Sequence, residues 1–262
     1  IYCNPLPLPD YPEGMFSPSR YGKIDRQSDF MGSPRDFREL ADPDVIFSDG
    51  SWYLFPSCRQ AYVSENLRDW RYEPIRFEDA GTRVGYAPSI VRCGDRFLLT
   101  YSILESGSAQ LFSAPAPLGP YRRLGTMVSA EGKPMVPDYL DPALFCDENG
   151  RLYLYWGYGG AGSGVFGVEL DAENPVRAIG KPVKICDFDP ENVFERYGEY
   201  NEHPDLSYIE GVSMLKHEGR YYLQYSFNGT HFRHYGLGMR IGDSPLGPFQ
   251  VQREPMALSP HG

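Results

Sequence analysis

The chain has 262 residues, with 28 glycines, 24 prolines and a formal net charge of −10, long enough to bury one or two hydrophobic cores. Its 25 lysines and arginines form no dense cluster, which argues against nucleic acid or an anionic membrane as partner. No apolar run approaches the roughly 18 residues of a membrane span, and nothing at Ile1 resembles a signal peptide, so the compartment and the oligomeric state stay open.

Along the chain, four stretches repeat one another: 44–55, 89–101, 143–156 and 213–225. Each reads as a short apolar strand, a glycine-containing turn and an aromatic strand. Asp49-Gly50 and Asn149-Gly150 are favoured two-residue hairpin dipeptides, and Gly94-Asp95 and Glu218-Gly219 hold the same place in the other two copies. Outer strands follow: 61–64 leads to 67–70, 111–113 to 118–121, and 236–239 to 244–249. A Leu-Gly-Pro-aromatic element recurs at 118–121 and 246–249. The turn glycines Gly50, Gly94, Gly150 and Gly219 stand 44, 56 and 69 residues apart, near the period of propeller blades with loop insertions. Few positions look helical and no low-complexity linker divides the sequence. These signals predict one all-β domain over 1–262, a five-bladed β-propeller with four plain blades. The tail 259–262 looks like the entry to a further inner strand, so the fifth blade is expected to be truncated. The five cysteines (Cys3, Cys58, Cys93, Cys146, Cys186) show no metal-ligand spacing and are expected as free, mostly buried thiols.

Counted back from the turn glycines, the position eight or nine residues upstream holds Asp42, Tyr86, Asp141 and Glu210. A hairpin repeated around an axis brings equivalent positions together, so three carboxylates remote in sequence are expected to line one funnel. Two carboxylates flanking a sugar can cleave a glycosidic bond, one protonating the leaving oxygen while the other activates water. A third can keep a proton on the acid by like-charge repulsion. Either Asp-Pro dipeptide alone would more often be a turn; the shared phase makes the difference. Asp44 is the rival base, two residues from Asp42 but already inside the strand.

The sequences around these acids are Ala41-Asp42-Pro43-Asp44, Tyr86-Ala87-Pro88, Leu140-Asp141-Pro142 and Ile209-Glu210-Gly211. The pattern resembles glycoside hydrolase family 43, over nearly the whole chain. The resemblance implies a five-bladed propeller with Asp42 as general base, Asp141 as the residue tuning the acid, and Glu210 as general acid. It further implies inverting hydrolysis of terminal pentose or furanose units in oligosaccharides or polysaccharides, of the α-L-arabinofuranosidase or β-xylosidase type. His261 matches the family's axial histidine, which implies a structural calcium ion at the axis and no cofactor for the chemistry. Val212 departs from the Pro that many members carry after Glu-Gly. Two alternatives are a non-catalytic carbohydrate-binding propeller and a fructan-type glycosidase, the latter disfavoured by Glu210-Gly211 where such enzymes have Glu-Cys.

Tyr86, Trp156 and Arg233 are further substrate-binding candidates, against packing roles for the two aromatics. Glu195, Arg196, Glu199 and Asn201 sit in the long insertion before Glu210 and are expected to rim the pocket or to form a solvated charged loop. His231 and His234 have no local carboxylate or thiol to complete a metal set. Asn228-Gly229-Thr230 is a formal glycosylation sequon read as a turn.

Overall fold

Each sequence repeat folds as one antiparallel meander. The structure, a computed structural model, describes residues 6–9, 42–57, 60–82, 84–102, 110–135, 141–158 and 164–258. The first blade is β1 (Asp44–Ser48), β2 (Ser51–Phe55), β3 (Gln60–Ser64) and β4 (Arg71–Pro74), paired in that order. The second is β5 (Tyr86–Cys93), β6 (Arg96–Ser102), β7 (Gln110–Ala114) and β8 (Arg122–Thr126). The third is β9 (Ala143–Cys146), β10 (Leu152–Tyr158), β11 (Gly164–Leu170) and β12 (Ala178–Cys186). The fourth is β13 (Ile209–His217), β14 (Arg220–Phe227), β15 (Gly236–Gly242) and an outer edge in two pieces, β16 (Phe249–Val251) and β17 (Ala257–Leu258), both paired to β15. The fold is an all-β propeller of which four blades lie within the described residues; 259–262, the expected entry to a fifth, lies outside them. The one helical turn among the described residues is a 3-10 turn at Val193–Glu195, and none of their helices is long and apolar enough to cross a membrane.

The described residues divide into two compact units, the first running through the first two blades to Gly125 and the second from Thr126 through the last two. In the first unit Phe55, Ile90, Leu99, Tyr101, Phe112 and Tyr121 form a buried core. Leu6 and Leu8 pack beside it on Leu54, Tyr62 and Trp70. In the second, Tyr153, Tyr155, Val165, Ile209, Leu223, Tyr225 and Phe227 do the same. Alternation along the strands explains this: the alternate residues Tyr221, Leu223, Tyr225 and Phe227 of β14 are all buried. The outer edge strand β12 carries Lys181, Pro182 and Lys184, residues that discourage further strand pairing. Cys93 and Cys186 are buried free thiols and Cys146 a half-buried one, while Cys3 and Cys58 lie outside the described residues.

Local details differ from the sequence expectations in three places. Asn149-Gly150 does not make a two-residue turn. The Asp147 N–H donates to the Arg151 carbonyl and the Gly150 N–H to the Asp147 carbonyl, both at 2.8 Å, closing a three-residue loop with Gly150 left-handed at φ 81°. Residues 67–70 are a turn, not a strand: Asn66 Oδ1 accepts the N–H groups of Arg68 and Asp69, and the strand follows at β4. The Leu-Gly-Pro-aromatic elements are likewise turns leading into β8 and β16, each with a cis Gly-Pro bond. Gly119 and Gly247 are left-handed there, at φ 87° and 80°, and a Cβ on Gly119 would collide with the Arg76 carbonyl oxygen. That collision, together with the left-handed backbone, is why the motif needs glycine.

Candidate active site

The heads of the inner strands share one backbone signature. The first regularly paired residues are Asp44 with Phe55, Ser89 with Thr100, Ala143 with Tyr155 and Ser213 with Gln224. Two residues ahead of each stands a left-handed residue: Asp42 at φ 48°, Ala87 at 47°, Asp141 at 47° and Gly211 at 60°. Asp42 and Asp141 are therefore equivalent, whereas Tyr86 and Glu210 each stand one residue earlier. Counting back from glycines blurs this, because Gly94 is the first rather than second turn residue and the third turn is one residue longer. A left-handed non-glycine costs about 1–2 kcal/mol. Ala87, which has no chemistry to offer, adopts it too. The conformation is thus a demand of the blade head, and the carboxylates are placed upon it.

In the first unit, Asp42 is exposed and its Oδ2 accepts a hydrogen bond from the Ser57 hydroxyl at 3.2 Å. Ser57 is buried, and its oxygen accepts the Ala87 N–H at 2.9 Å. One hydroxyl thus links the candidate base to the head of the neighbouring blade. No sequence signal singled out Ser57; it lies in the connection after β2, where only the folded chain shows its direction. Asp44 faces elsewhere, its Oδ2 accepting the Ile90 N–H of β5 at 2.7 Å and its Oδ1 the Val45 N–H at 2.8 Å. Burial pushes the Asp44 carboxyl from an ordinary 3.8 up to about 6, against the lowering pull of Ile90, Val45 and Ser89. Asp44 clamps two inner strands, a role distinct from that of Asp42. Tyr86 opens β5 opposite Ser102 and is half-buried.

In the second unit, Asp141 precedes β9 and Glu210 lies at the start of β13; both are half-buried. Their strands pack side by side. At the turn end of these hairpins, Asp147 accepts from Lys216 Nζ and from the Tyr221 hydroxyl, each at 2.7 Å. Burial would raise the Asp147 carboxyl, but Lys216 and Tyr221 hold it below its ordinary value. Those two hydrogen bonds tie the hairpins together at their turns. Glu210 pairs with Ser226, and a register shift follows at Gly211, left-handed at φ 60°, where a Cβ would stand 3.2 Å from the Ser226 hydroxyl oxygen. Trp156 is half-buried and stacks on Phe166 at 6.2 Å, a packing contact.

The insertion before Glu210 corrects the expectation of a solvated loop. Glu195 is 0% exposed. Its carboxylate accepts from the Asp189 N–H at 2.8 Å, Asn192 Nδ2 at 3.1 Å, the Tyr225 hydroxyl at 2.5 Å and Arg240 Nη2 at 3.3 Å to each oxygen. Burial, and then the neighbouring Glu195, push the Tyr225 phenol far above its ordinary value, so it stays a donor. Ser207, three residues before Glu210, donates to the Glu195 carbonyl. Asn201 is buried too, its amide donating to the Phe194 and Arg196 carbonyls. Arg196 donates to the Pro190 carbonyl from a more exposed site. Arg233 is exposed and pairs with Glu199 at 3.1 Å. Asn228 is fully buried, accepting the Gly198 N–H and donating to the Gly198 carbonyl, both at 3.0 Å, so the sequon amide is enclosed in the fold. His261 lies outside the described residues, and among the described ones no three His, Cys, Asp or Glu side chains gather as a metal site.

The profile of the family described as glycosyl hydrolases family 43 matches residues 37–261. A β-D-galactofuranosidase of Aspergillus niger is 25% identical over 240 residues, covering 80% of this chain and 62% of its own. An extracellular endo-α-(1→5)-L-arabinanase of Bacillus subtilis is 24% identical over 253 residues, covering 81% of this chain and 50% of its own. A xylosidase/arabinosidase of Bacteroides ovatus is 23% identical over 261 residues, covering 81% of this chain and 77% of its own. The chain thus spans only 62% and 50% of the first two relatives. Among solved structures, a thermostable family-43 glycoside hydrolase superposes with a TM-score of 0.64 at 24% identity, over 80% of this chain and 71% of that one. An endo-arabinase of Bacteroides thetaiotaomicron gives 0.65 at 16% identity, over 84% and 82%. At these identities the likeness establishes the propeller fold.

Proposed function

The chain belongs to glycosyl hydrolases family 43, and from that premise we propose that it is an inverting glycosidase acting on terminal pentose or furanose units of plant-type oligosaccharides or polysaccharides. The observation that carries the proposal is an acid at the head of three of the four described inner strands, Asp42, Asp141 and Glu210. Asp42 removes a proton from water, helped by Ser57, which donates to its carboxylate and so favours the charged, basic form. Glu210 protonates the glycosidic oxygen as the bond breaks. Asp141, at the head of the neighbouring strand, keeps that proton on Glu210 by repulsion between like charges. Water enters opposite the leaving group, so the first-formed sugar has inverted configuration. The substrate class is supported by relatives whose names include galactofuranosidase, arabinanase and xylosidase/arabinosidase. A structural calcium ion at the axis, held by His261, belongs to the same proposal, and no step of the chemistry runs through it.

Leaving-group dependence tests the roles. Glu210→Ala should abolish most activity on alkyl glycosides, which need protonation, while activated aryl glycosides suffer much less. Asp42→Ala should reduce both by about 10²–10⁴-fold. Proton NMR of the first-formed product should show inversion. Retention would exclude Asp42 as a water-activating base, and equal losses from Glu210→Ala on both substrates would exclude Glu210 as the acid.

A further inference from the structure

Tyr208 lies two residues before Glu210, and Ile209 between them is completely buried. In an extended segment alternate side chains share a side, so Tyr208 and Glu210 point the same way, separated along the chain by roughly 6.6 Å at about 3.3 Å per residue. That is about the width of one sugar ring. Tyr208 is 40% exposed, and its ring rests on Tyr197 with centroids 5.4 Å apart. Tyr197 is itself fixed. Phe232 meets it edge-on at 4.8 Å and His231 at 6.0 Å, and its hydroxyl lies 3.3 Å from His231 Nε2. Its backbone is tied by the Tyr197 N–H to the Leu206 carbonyl at 2.9 Å and by the His203 N–H to the Tyr197 carbonyl at 3.1 Å. The next residue, Gly198, is held by the buried amide of Asn228. A large aromatic ring left open to solvent is thus backed by an ordered cluster. An ordered, partly open aromatic face loses little conformational entropy when it binds a flat apolar surface.

From this juxtaposition we infer that Tyr208, backed by Tyr197, is the stacking platform for the sugar on the leaving-group side of the scissile bond. The inference rests on the proposed role of Glu210. A general acid must lie within hydrogen-bond reach of the glycosidic oxygen, so the unit attached to that oxygen lies beside the acid, where Tyr208 presents its ring. The carbon-bound hydrogens of a pyranose or furanose face then cover the phenol ring, and the exposed His231 edge borders the same unit. The platform serves oligosaccharide substrates and contributes little to one whose leaving group is a small aryl alcohol.

Tyr208→Ala and Tyr208→Phe, compared on para-nitrophenyl arabinofuranoside and xyloside and on arabinotriose and xylotriose, test this. Tyr208→Ala should lower kcat/KM on the hydrolysed trisaccharide by about 10-fold or more, mostly through KM, and leave the aryl glycoside within about 3-fold. Tyr208→Phe, which keeps the ring, should match the parent on both. Equal losses on both substrate types, or an unchanged trisaccharide, overturn the platform. Calorimetric titration with the two trisaccharides separates this from the role of Glu210. If the parent hydrolyses none of the glycosides, the catalytic reading fails. The platform then stands if Tyr208→Ala weakens trisaccharide binding at least 10-fold with Tyr208→Phe unaffected, and falls if the parent binds neither trisaccharide or the variant binds as the parent does.

Discussion

Glu195→Gln is the sharpest test of how the insertion before Glu210 is held. The substitution preserves shape and removes one charge. All the groups that meet the Glu195 carboxylate are donors: the Asp189 N–H, Asn192 Nδ2, the Tyr225 hydroxyl and Arg240 Nη2. A glutamine amide accepts at its oxygen only, so its nitrogen must confront at least one of those donors. The Arg240 side chain, 9% exposed, would keep its charge without the Glu195 countercharge, with only neutral oxygens such as the Asp187 carbonyl accepting from it. Removing one partner of a buried ion pair typically costs about 3–5 kcal/mol, and that is the loss expected in urea denaturation. Hydrogen exchange should speed up across 187–208, the segment that leads into Glu210. Adding Arg240→Met removes the uncompensated charge and should recover a large part of the loss, giving a coupling energy well above 1 kcal/mol. A loss below about 1 kcal/mol for Glu195→Gln, with exchange unchanged, would refute the argument that this pair anchors the loop.

Asp44→Asn addresses pH. The folded-state value near 6 lies above the ordinary 3.8, so the folded chain binds the proton more tightly and stability falls as pH rises through that window. Denaturation midpoints of the asparagine variant should lack that decline between about pH 4 and 6, at a level lowered throughout because its amide nitrogen must confront the Ile90 or the Val45 N–H, with activity retained; loss of activity matching that of Asp42→Asn would instead make Asp44 part of the chemistry. Ser57→Ala strands the Ala87 N–H and should cost about 1–3 kcal/mol in thermal or urea unfolding. It also removes a hydrogen bond to the charged form of Asp42, so the acidic limb of the pH–rate profile should move upward; an unmoved limb would show that Ser57 does not act on the base.

Much of the blade architecture was legible before any coordinates, because hairpins are written in local chemistry. Asp49-Gly50 supplies two residues that tolerate left-handed φ, and both are left-handed, at 49° and 79°. The stretch 213–225 read as an apolar strand, a turn and an aromatic strand, and it folds as β13 and β14. The Leu-Gly-Pro-aromatic repeat marked equivalent places in two blades, though it forms turns rather than strands. The acids Asp42, Asp141 and Glu210 stood out for the same local reason, their place ahead of a strand. Their phase did not, since counting from glycines cannot register a turn one residue longer or a glycine in the first turn position. What the sequence hid depends on partners remote along the chain. Glu195 reads as a loop carboxylate until Arg240 and Tyr225 arrive from two strands of the fourth blade, 45 and 30 residues away. Asn228 reads as a sequon until Gly198 closes on its amide. Ser57 is an ordinary serine until the head of the next blade brings up the Ala87 N–H. A charge or hydroxyl can be buried only where several donors and acceptors converge, and that convergence is a property of tertiary packing that local sequence does not encode.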